Sequence, residues 1–194
     1  MSMTISASSI MNRAYAGNTY FRDAGFREKS SNHDVVSADR KAMVRALERL
    51  EGLDFDSEDV DDTKAVINTV TSYLDIYNNA VSSAQDSDSS HIRRTGKDMK
   101  ALTKEYGDAL AAIGIQIKNN GTVKVDKSEL QKASGRQISK VFGNKDYISD
   151  MNRLMKKLRN QVSRETPKQE GQAEESKNDT VSPETVGCNL NLQV

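Results

Sequence analysis

Residues 60–84, VDDTKAVINTVTSYLDIYNNAVSSA, place apolar or small side chains at steps of three and four along the whole stretch. This spacing has a mean period of roughly 3.5 and is typical of helices that pack along a narrow seam. The same rhythm returns over residues 92–113, after a polar, turn-prone run at residues 86–90. The sequence therefore predicts an antiparallel helical hairpin at the centre of a mainly α, coiled-coil bundle.

Two more helices flank the predicted hairpin. Residues 37–50 carry apolar side chains on one face, with Ser37 as a good N-cap and Gly52 at the stop position. Residues 147–162 repeat the steps of three and four and form the last predicted helix. The bundle is thus expected to receive one helix before the hairpin and one after it.

A β-hairpin is predicted over residues 115–125. Apolar and polar residues alternate on both sides of Asn120 and Gly121, and an Asn-Gly pair is the strongest short-range hairpin signal. Asp126 and Glu129 have the spacing of a capping box, which starts a short helix that Gly135 is expected to end. Since two strands alone are marginally stable, the hairpin must pack on the helices.

Composition divides the chain into a helical domain over residues 35–164 and two disordered ends. Residues 1–34 lack a sustained period and predict a flexible arm. The close spacing of Tyr20, Phe21 and Phe26 in this arm fits a docking segment, or aromatic residues that fold onto the body of the same protein. Residues 165–194 hold six acids and two bases, without periodicity, and predict a disordered acidic tail.

The overall charge is zero, with 28 basic and 28 acidic residues, so nothing drives the chain toward nucleic acid. Locally the charges separate. Residues 57–86 carry six acids and one base, whereas residues 145–164 carry six bases and two acids. Helices of opposite charge pack side by side more favourably than helices of the same charge. Each exposed ion pair nevertheless contributes less than ~1 kcal/mol.

No catalytic, cofactor or metal motif stands out. His33 and His91 each lack a second ligand at metal-binding spacing, and no phosphate loop or nucleophile elbow is present. The single cysteine, Cys188, cannot form a disulfide within the chain. No run is long and apolar enough for a membrane span, so membrane insertion is not expected. The sequence thus predicts a non-enzymatic protein without a cofactor.

What remains for function is the surface of the seams, which recognise other helices within one chain or between chains. The candidate partner-binding residues lie on or beside the two predicted seams: Ile67, Val70, Tyr73, Leu74, Tyr77, Met99, Leu102 and Tyr106. Sequence alone leaves open whether these seams close within the chain or against a partner.

The order of several short motifs over residues 66–142 resembles the helical region of the bacterial flagellar filament-capping protein, also called the hook-associated capping protein. The family has a helix with a Tyr-Asn step, a Leu-Gly-Ile, an Asp/Asn-Gly turn, a short strand ending in Asp, a capped helix and then a Leu-Phe. In this chain the corresponding residues are Tyr73 to Asn79, Ile113 to Ile115, Gly121, Val123 to Asp126, Leu130, and Val141 to Gly143.

The resemblance implies an exported, oligomeric protein on the extracellular flagellum that binds flagellin-like subunits or copies of itself. The family carries large β-rich domains between its helical parts, and this chain has no room for them, so a reduced form is implied. The alternative is a cytoplasmic helical adaptor or secretion chaperone whose seams hold a client helix.

Overall fold

A computed structural model describes residues 5–57 and 59–165, and most of them are helical. The first five helices are α1 (Ala7–Ala14), α2 (Ala24–Lys29), α3 (Asn32–Glu51), α4 (Val60–Gln85) and α5 (Ser90–Glu105), with a 3-10 helix at Thr19–Arg22. They are followed by α6 (Gly107–Ala111), β1 (Ile115–Ile117), β2 (Val123–Val125), α7 (Lys127–Lys132), α8 (Gly135–Phe142) and α9 (Lys145–Glu165). The predicted mainly α fold with a small β-hairpin is confirmed. The predicted tail lies outside the described residues from position 166 onward, and Cys188 with it.

The long helices α3, α4, α5 and α9 form a four-helix bundle. Both α4 and α9 pack against α3 and α5, so α4 and α9 occupy diagonal corners. Neighbours run antiparallel: the Asn32 side chain at the start of α3 donates to the Ser83 carbonyl near the end of α4 at 3.1 Å. The predicted hairpin of α4 and α5 is present. The acidic α4 therefore has the basic α5 as a neighbour but faces the basic α9 only across the bundle.

Helix α4 is buried on more sides than a helix that packs only along a narrow seam. Asp59 caps it by accepting from the backbone N–H groups of Asp61 and Asp62, and α1, α8 and β2 pack on it in addition to α3 and α5. Ile76, off the predicted seam, is fully buried, whereas Val60 at the predicted start of the seam is 66% exposed. The seam prediction is thus correct in the middle of the helix and wrong at its first turn.

The prediction of a flexible arm is wrong for residues 5–34, which fold onto the bundle. Helix α1 lies along α4, where the Ser72 hydroxyl donates to the Ala7 carbonyl at 3.0 Å. Ile10 and Phe21 are buried in the core. Of the two alternatives for the aromatic segment, packing onto the body therefore holds for Phe21.

The first long helix begins earlier than predicted. Ser31, and not Ser37, is the N-cap of α3, and its hydroxyl accepts from the backbone N–H of Asp34. Six residues are thereby added to the predicted helix, and the predicted domain boundary at residue 35 falls inside α3. Both serines are suitable N-caps. Val35 and Val36, which precede Ser37, are buried in the core as part of the helix that starts after Ser31.

The second helix of the hairpin is interrupted at Tyr106. Helix α5 ends at Glu105 and α6 starts at Gly107, so the predicted continuous helix to residue 113 is wrong. Gly107 is a poor residue for a helix interior, which favours a break at this point. At the break, the ring of Tyr106 packs on that of Tyr147 on α9, with the ring centroids 5.0 Å apart.

The two strands pair antiparallel, with Ile115 opposite Val125 and Ile117 opposite Val123, as the alternation predicts. Gly121 in the connecting turn has φ +82°, a conformation that side-chain-bearing residues rarely adopt.

The capping prediction after the hairpin is half correct. The Asp126 carboxylate caps α7 by accepting from Ser128 and Glu129 N–H, but its own N–H donates to the Gly114 carbonyl at 2.8 Å. A complete capping box stands one helix later, between Ser134 and Gln137 at the start of α8.

Gly135 begins α8, whereas the sequence predicts that it ends the preceding helix. A Cβ atom at this position would lie 1.8 Å from the Phe55 carbonyl oxygen of the α3–α4 connector. No atom tolerates such a distance, so glycine is required here for a close backbone approach and not for a helix stop.

Candidate protein-binding surfaces

The hairpin is fixed to α4 by two neighbouring side chains. The Asn78 amide donates to the Val123 carbonyl at 2.9 Å and accepts from the Val123 N–H at 2.7 Å. From the preceding residue, the Tyr77 hydroxyl donates to the Gly121 carbonyl at 3.1 Å. An outer strand edge normally exposes such groups, and here helix side chains satisfy them. The hairpin is thereby part of the rigid body.

An aromatic cluster lies behind the junction in the core. The hydroxyls of Tyr73 and Tyr147 are 2.7 Å apart, and the ring of Phe142 meets that of Tyr73 edge-on at 5.7 Å between centroids. Burial raises the pKa of both tyrosines. For Tyr73, the neighbouring Tyr147 raises the pKa further. These neutral, paired hydroxyls stabilise the packing of α4, α8 and α9.

Most of the candidate partner-binding residues lie inside the chain. The buried ones are Val70, Tyr73, Leu74, Tyr77, Met99 and Leu102. Ile67 and Tyr106 are half-buried at the margin of the same core. The seams therefore close within one chain, and these six buried side chains offer no surface to a partner in this conformation.

A surface groove runs between α3 and α9, and we call it the α3–α9 groove. Its volume is about 970 Å³, and apolar side chains line its floor. Val44 comes from α3, Leu53 and Phe55 from the connector after α3, and Ile148 from α9. Leu53, Phe55 and Val44 are only partly buried, so apolar area remains open to solvent.

The rims of the α3–α9 groove carry opposite charges. Glu48 and Glu51 line the side formed by α3, whereas Lys145, Arg153 and Lys156 line the side formed by α9. A partner helix needs a matching apolar face and oppositely charged flanks to bind such a surface. The arrangement can therefore recognise an amphipathic helix in one orientation.

A second groove, of about 860 Å³, lies between β1 and the α5–α6 segment. Three lysines surround it, Lys100, Lys104 and Lys118, with one acid, Asp108. Its lining contains fewer apolar groups than that of the α3–α9 groove, and Lys100 already donates to the Asn120 carbonyl at 3.4 Å. It is a weaker candidate for protein binding.

A buried polar network that the sequence did not reveal attaches the N-terminal segment to the bundle. Asp39 is fully buried and accepts from the Tyr15 hydroxyl at 2.7 Å and from two Arg27 nitrogens at 2.7 and 2.8 Å. Burial and the adjacent Asp39 raise the pKa of Tyr15, and the hydrogen bond to Asp39 raises that of Arg27. Its position three residues before Ala42 and four before Met43 places Asp39 on the apolar face of α3, which is the one sequence signal of its burial.

Arg40 on α3 and Arg159 on α9 belong to two helices that pack against each other. Arg40 on α3 is half-buried, and its pKa is lowered first by burial and then by the charges of Arg159 and Arg45. Lys156 lies one turn from Arg159 on α9.

Nowhere in the described chain do three or more His, Cys, Asp or Glu side chains gather closely enough to hold a metal ion. Within residues 5–57 and 59–165, none of the helices combines the length and apolar character that a bilayer crossing requires.

Comparisons of the chain with protein-family models, curated proteins and solved structures each find no match. The class that the structure defines is a four-helix bundle with a β-hairpin inserted between its third and fourth helices.

Proposed function

We propose that the protein is a non-enzymatic, protein-binding subunit of the flagellar-cap type in reduced form, which binds flagellar subunits or copies of itself. The proposal rests on the ordered motifs of residues 66–142 that resemble the filament-capping family.

One observation carries the proposal: the residues behind the resemblance contact one another. Asn78 bonds to Val123, Tyr77 bonds to Gly121, and the Tyr73 ring packs on Phe142. Asp126 reaches back to Gly114 through its N–H. An ordered set of short motifs that also forms one physical unit supports a common architecture better than the same motifs scattered over the surface.

The α3–α9 groove is the surface that suits such binding best. Because the predicted seam residues are buried, a partner has to use side chains that remain accessible, such as Val44 and Phe55. The partner that fits is an amphipathic helix, with a basic flank beside Glu48 and an acidic flank beside Arg153.

Sedimentation velocity of the full chain with purified monomeric flagellin from the same bacterium tests the proposal. We expect a faster-sedimenting species in the mixture that neither protein forms alone, or a concentration-dependent oligomer of the chain itself. An unrelated helical protein of similar size serves as the control. A chain that stays monomeric and ignores flagellin contradicts the proposal.

The groove also favours a second candidate, a cytoplasmic adaptor or secretion chaperone that holds a client helix. The two candidates differ in where the protein acts. An epitope-tagged chain produced in flagellated cells should reach the medium or the filament if it is cap-like. Retention in the cytoplasm together with a bound client favours the chaperone.

A further inference from the structure

Three aromatic side chains lie together beside the first half of α3, and we call Tyr20, Phe21 and Phe26 the aromatic patch. Tyr20 and Phe26 are 49% and 41% exposed, whereas Phe21 is buried. The three rings contact one another, with centroids 4.6 to 5.3 Å apart. In the described part of the chain, the other large apolar side chain with such exposure is Val60. Exposed aromatic rings that cluster in this way are typical of a binding surface.

The aromatic patch is fixed to α3 by buried hydrogen bonds. The Arg27 guanidinium donates to the Phe21 carbonyl at 3.1 Å and to both carboxylate oxygens of Asp39 at 2.7 and 2.8 Å. Asp39 is fully buried in the bundle. Because the segment that carries the rings is already ordered, a partner that binds them loses little free energy in ordering it.

The aromatic patch and the α3–α9 groove occupy different parts of α3. Ala38 lines the hollow beside the rings, whereas Glu48 lines the groove. Their separation of ten residues corresponds to about 15 Å along a helix axis. Since the bonds of Arg27 to Asp39 hold the patch where it lies, its rings cannot fill the groove of their own chain.

The two surfaces are complementary in polarity and in charge. The groove has a partly exposed apolar floor, which the two exposed rings of the patch can cover. Lys29 and Lys41, together with one acid, Asp34, line the hollow beside the rings. The α3 side of the groove carries Glu48 and Glu51. Opposite charges at the edges of two apolar surfaces favour their contact in one orientation.

We propose that the aromatic patch of one copy of the chain binds in the α3–α9 groove of a second copy, with the exposed rings on the apolar floor and the lysines beside Glu48 and Glu51. One chain supplies both halves of this contact, and the halves cannot meet within that chain, so a second copy is the partner that fits. The inference rests on the proposed function, because it names the second copy as the partner of the groove.

Sedimentation velocity of the full chain over a wide range of concentrations tests the proposal. We expect the wild type to associate as its concentration rises. Tyr20→Ser with Phe26→Ser removes the exposed rings and should weaken the association at least about tenfold. Val60→Ser removes an exposed apolar side chain outside both surfaces and should associate as the wild type does. A wild-type chain that stays monomeric would overturn the proposal.

A mixture of two variants shows whether the patch meets the groove. The variant with Tyr20→Ser and Phe26→Ser retains the groove, and Val44→Glu retains the patch. Neither should associate alone, whereas equal amounts of the two should form a complex. Circular dichroism must show that each variant keeps the helical content of the wild type, and Glu48→Lys with Glu51→Lys, at exposed positions, replaces Val44→Glu if that variant unfolds.

A mixture that stays monomeric, or a single variant that associates as strongly as the wild type, would overturn the proposal. The experiment contains no flagellar subunit, so its failure is distinguishable from failure of the proposed function. A monomeric chain that binds flagellin overturns this inference alone, whereas a monomeric chain that ignores flagellin overturns both.

Discussion

The side chain of Asn78 binds both backbone groups of Val123, donating to the carbonyl at 2.9 Å and accepting from the N–H at 2.7 Å. An amide is the one neutral side chain that offers a donor and an acceptor at this spacing. It thus acts in place of a third strand at the edge of β2. A two-stranded hairpin is marginal alone, and this contact helps to explain its order in the bundle.

Replacing Asn78 by Ala should lower the free energy of unfolding by about 2 kcal/mol, because it leaves the nearly buried N–H and C=O of Val123 without partners. Urea unfolding followed by circular dichroism measures the change, and hydrogen exchange of the Val123 amide should accelerate. Asn119→Ala, at an exposed turn position, is the matched control and should change stability by less than ~0.5 kcal/mol. Equal stability of the two variants would show that the junction contributes nothing.

Two glycines that each begin a helix should respond differently to a methyl group. Gly135→Ala places a Cβ 1.8 Å from the Phe55 carbonyl oxygen, so the connector must move, whereas Gly107→Ala meets only the Ile117 side chain at 3.8 Å. We expect Gly135→Ala to cost about 2 kcal/mol or more and Gly107→Ala to be neutral or slightly stabilising. Thermal unfolding of the pair measures the difference, and a neutral Gly135→Ala would refute the close approach.

Asp39→Asn should destabilise the protein by about 3 kcal/mol, because the partly buried Arg27 guanidinium loses its charged partner. The N-terminal segment should also become sensitive to limited proteolysis. Asp98→Asn removes an exposed ion pair with Lys157 and should cost less than ~1 kcal/mol. If the two substitutions have the same small effect, Asp39 does not attach this segment to the bundle.

Alkaline pH should unfold the protein cooperatively. Burial raises the pKa of four tyrosines in the folded state: Tyr15, Tyr73, Tyr77 and Tyr147. The unfolded chain ionises its tyrosines near pH ~10, so this stability is complete below about pH 10 and declines as the pH rises further.

Tyrosinate absorbance and far-UV ellipticity, recorded together as the pH is raised, measure this transition. For the buried tyrosines the two signals should change together, and Tyr73→Phe should make the transition less steep. Tyr20→Phe, at an exposed position, should leave the ellipticity curve unchanged. Ionisation of all tyrosines without loss of ellipticity would contradict the burial of these hydroxyls.

Periodicity predicted the long helices well, because successive turns of α4 and of α9 place apolar side chains against the same core. It failed where short segments depend on distant partners. Helix α1 has eight residues, too few for a sustained period, and it is held by contacts such as Ser72 with Ala7. Its apolar residues Ala7, Ile10, Met11 and Ala14 do have helical spacing, but they cover only about two turns.

The surfaces were less predictable than the fold. Spacing identified Tyr73 and Leu74 as apolar helix positions but could not tell a core from an interface, since both use the same side chains. The α3–α9 groove joins residues about one hundred positions apart, such as Val44 and Ile148. Gly135 was misassigned because its requirement comes from Phe55, which lies in another segment.

Isothermal titration of monomeric flagellin from the same bacterium into three full-length proteins tests the central claim most directly. We expect the wild-type chain and Gln131→Glu, an exposed change on α7 outside both grooves, to bind alike. Val44→Glu should bind at least about tenfold more weakly because it places a charge on the apolar floor. Circular dichroism must first show that Val44→Glu retains the helical content of the wild type. Binding by all three proteins with one affinity would contradict the groove as the binding surface, and binding by none would contradict the proposed function itself.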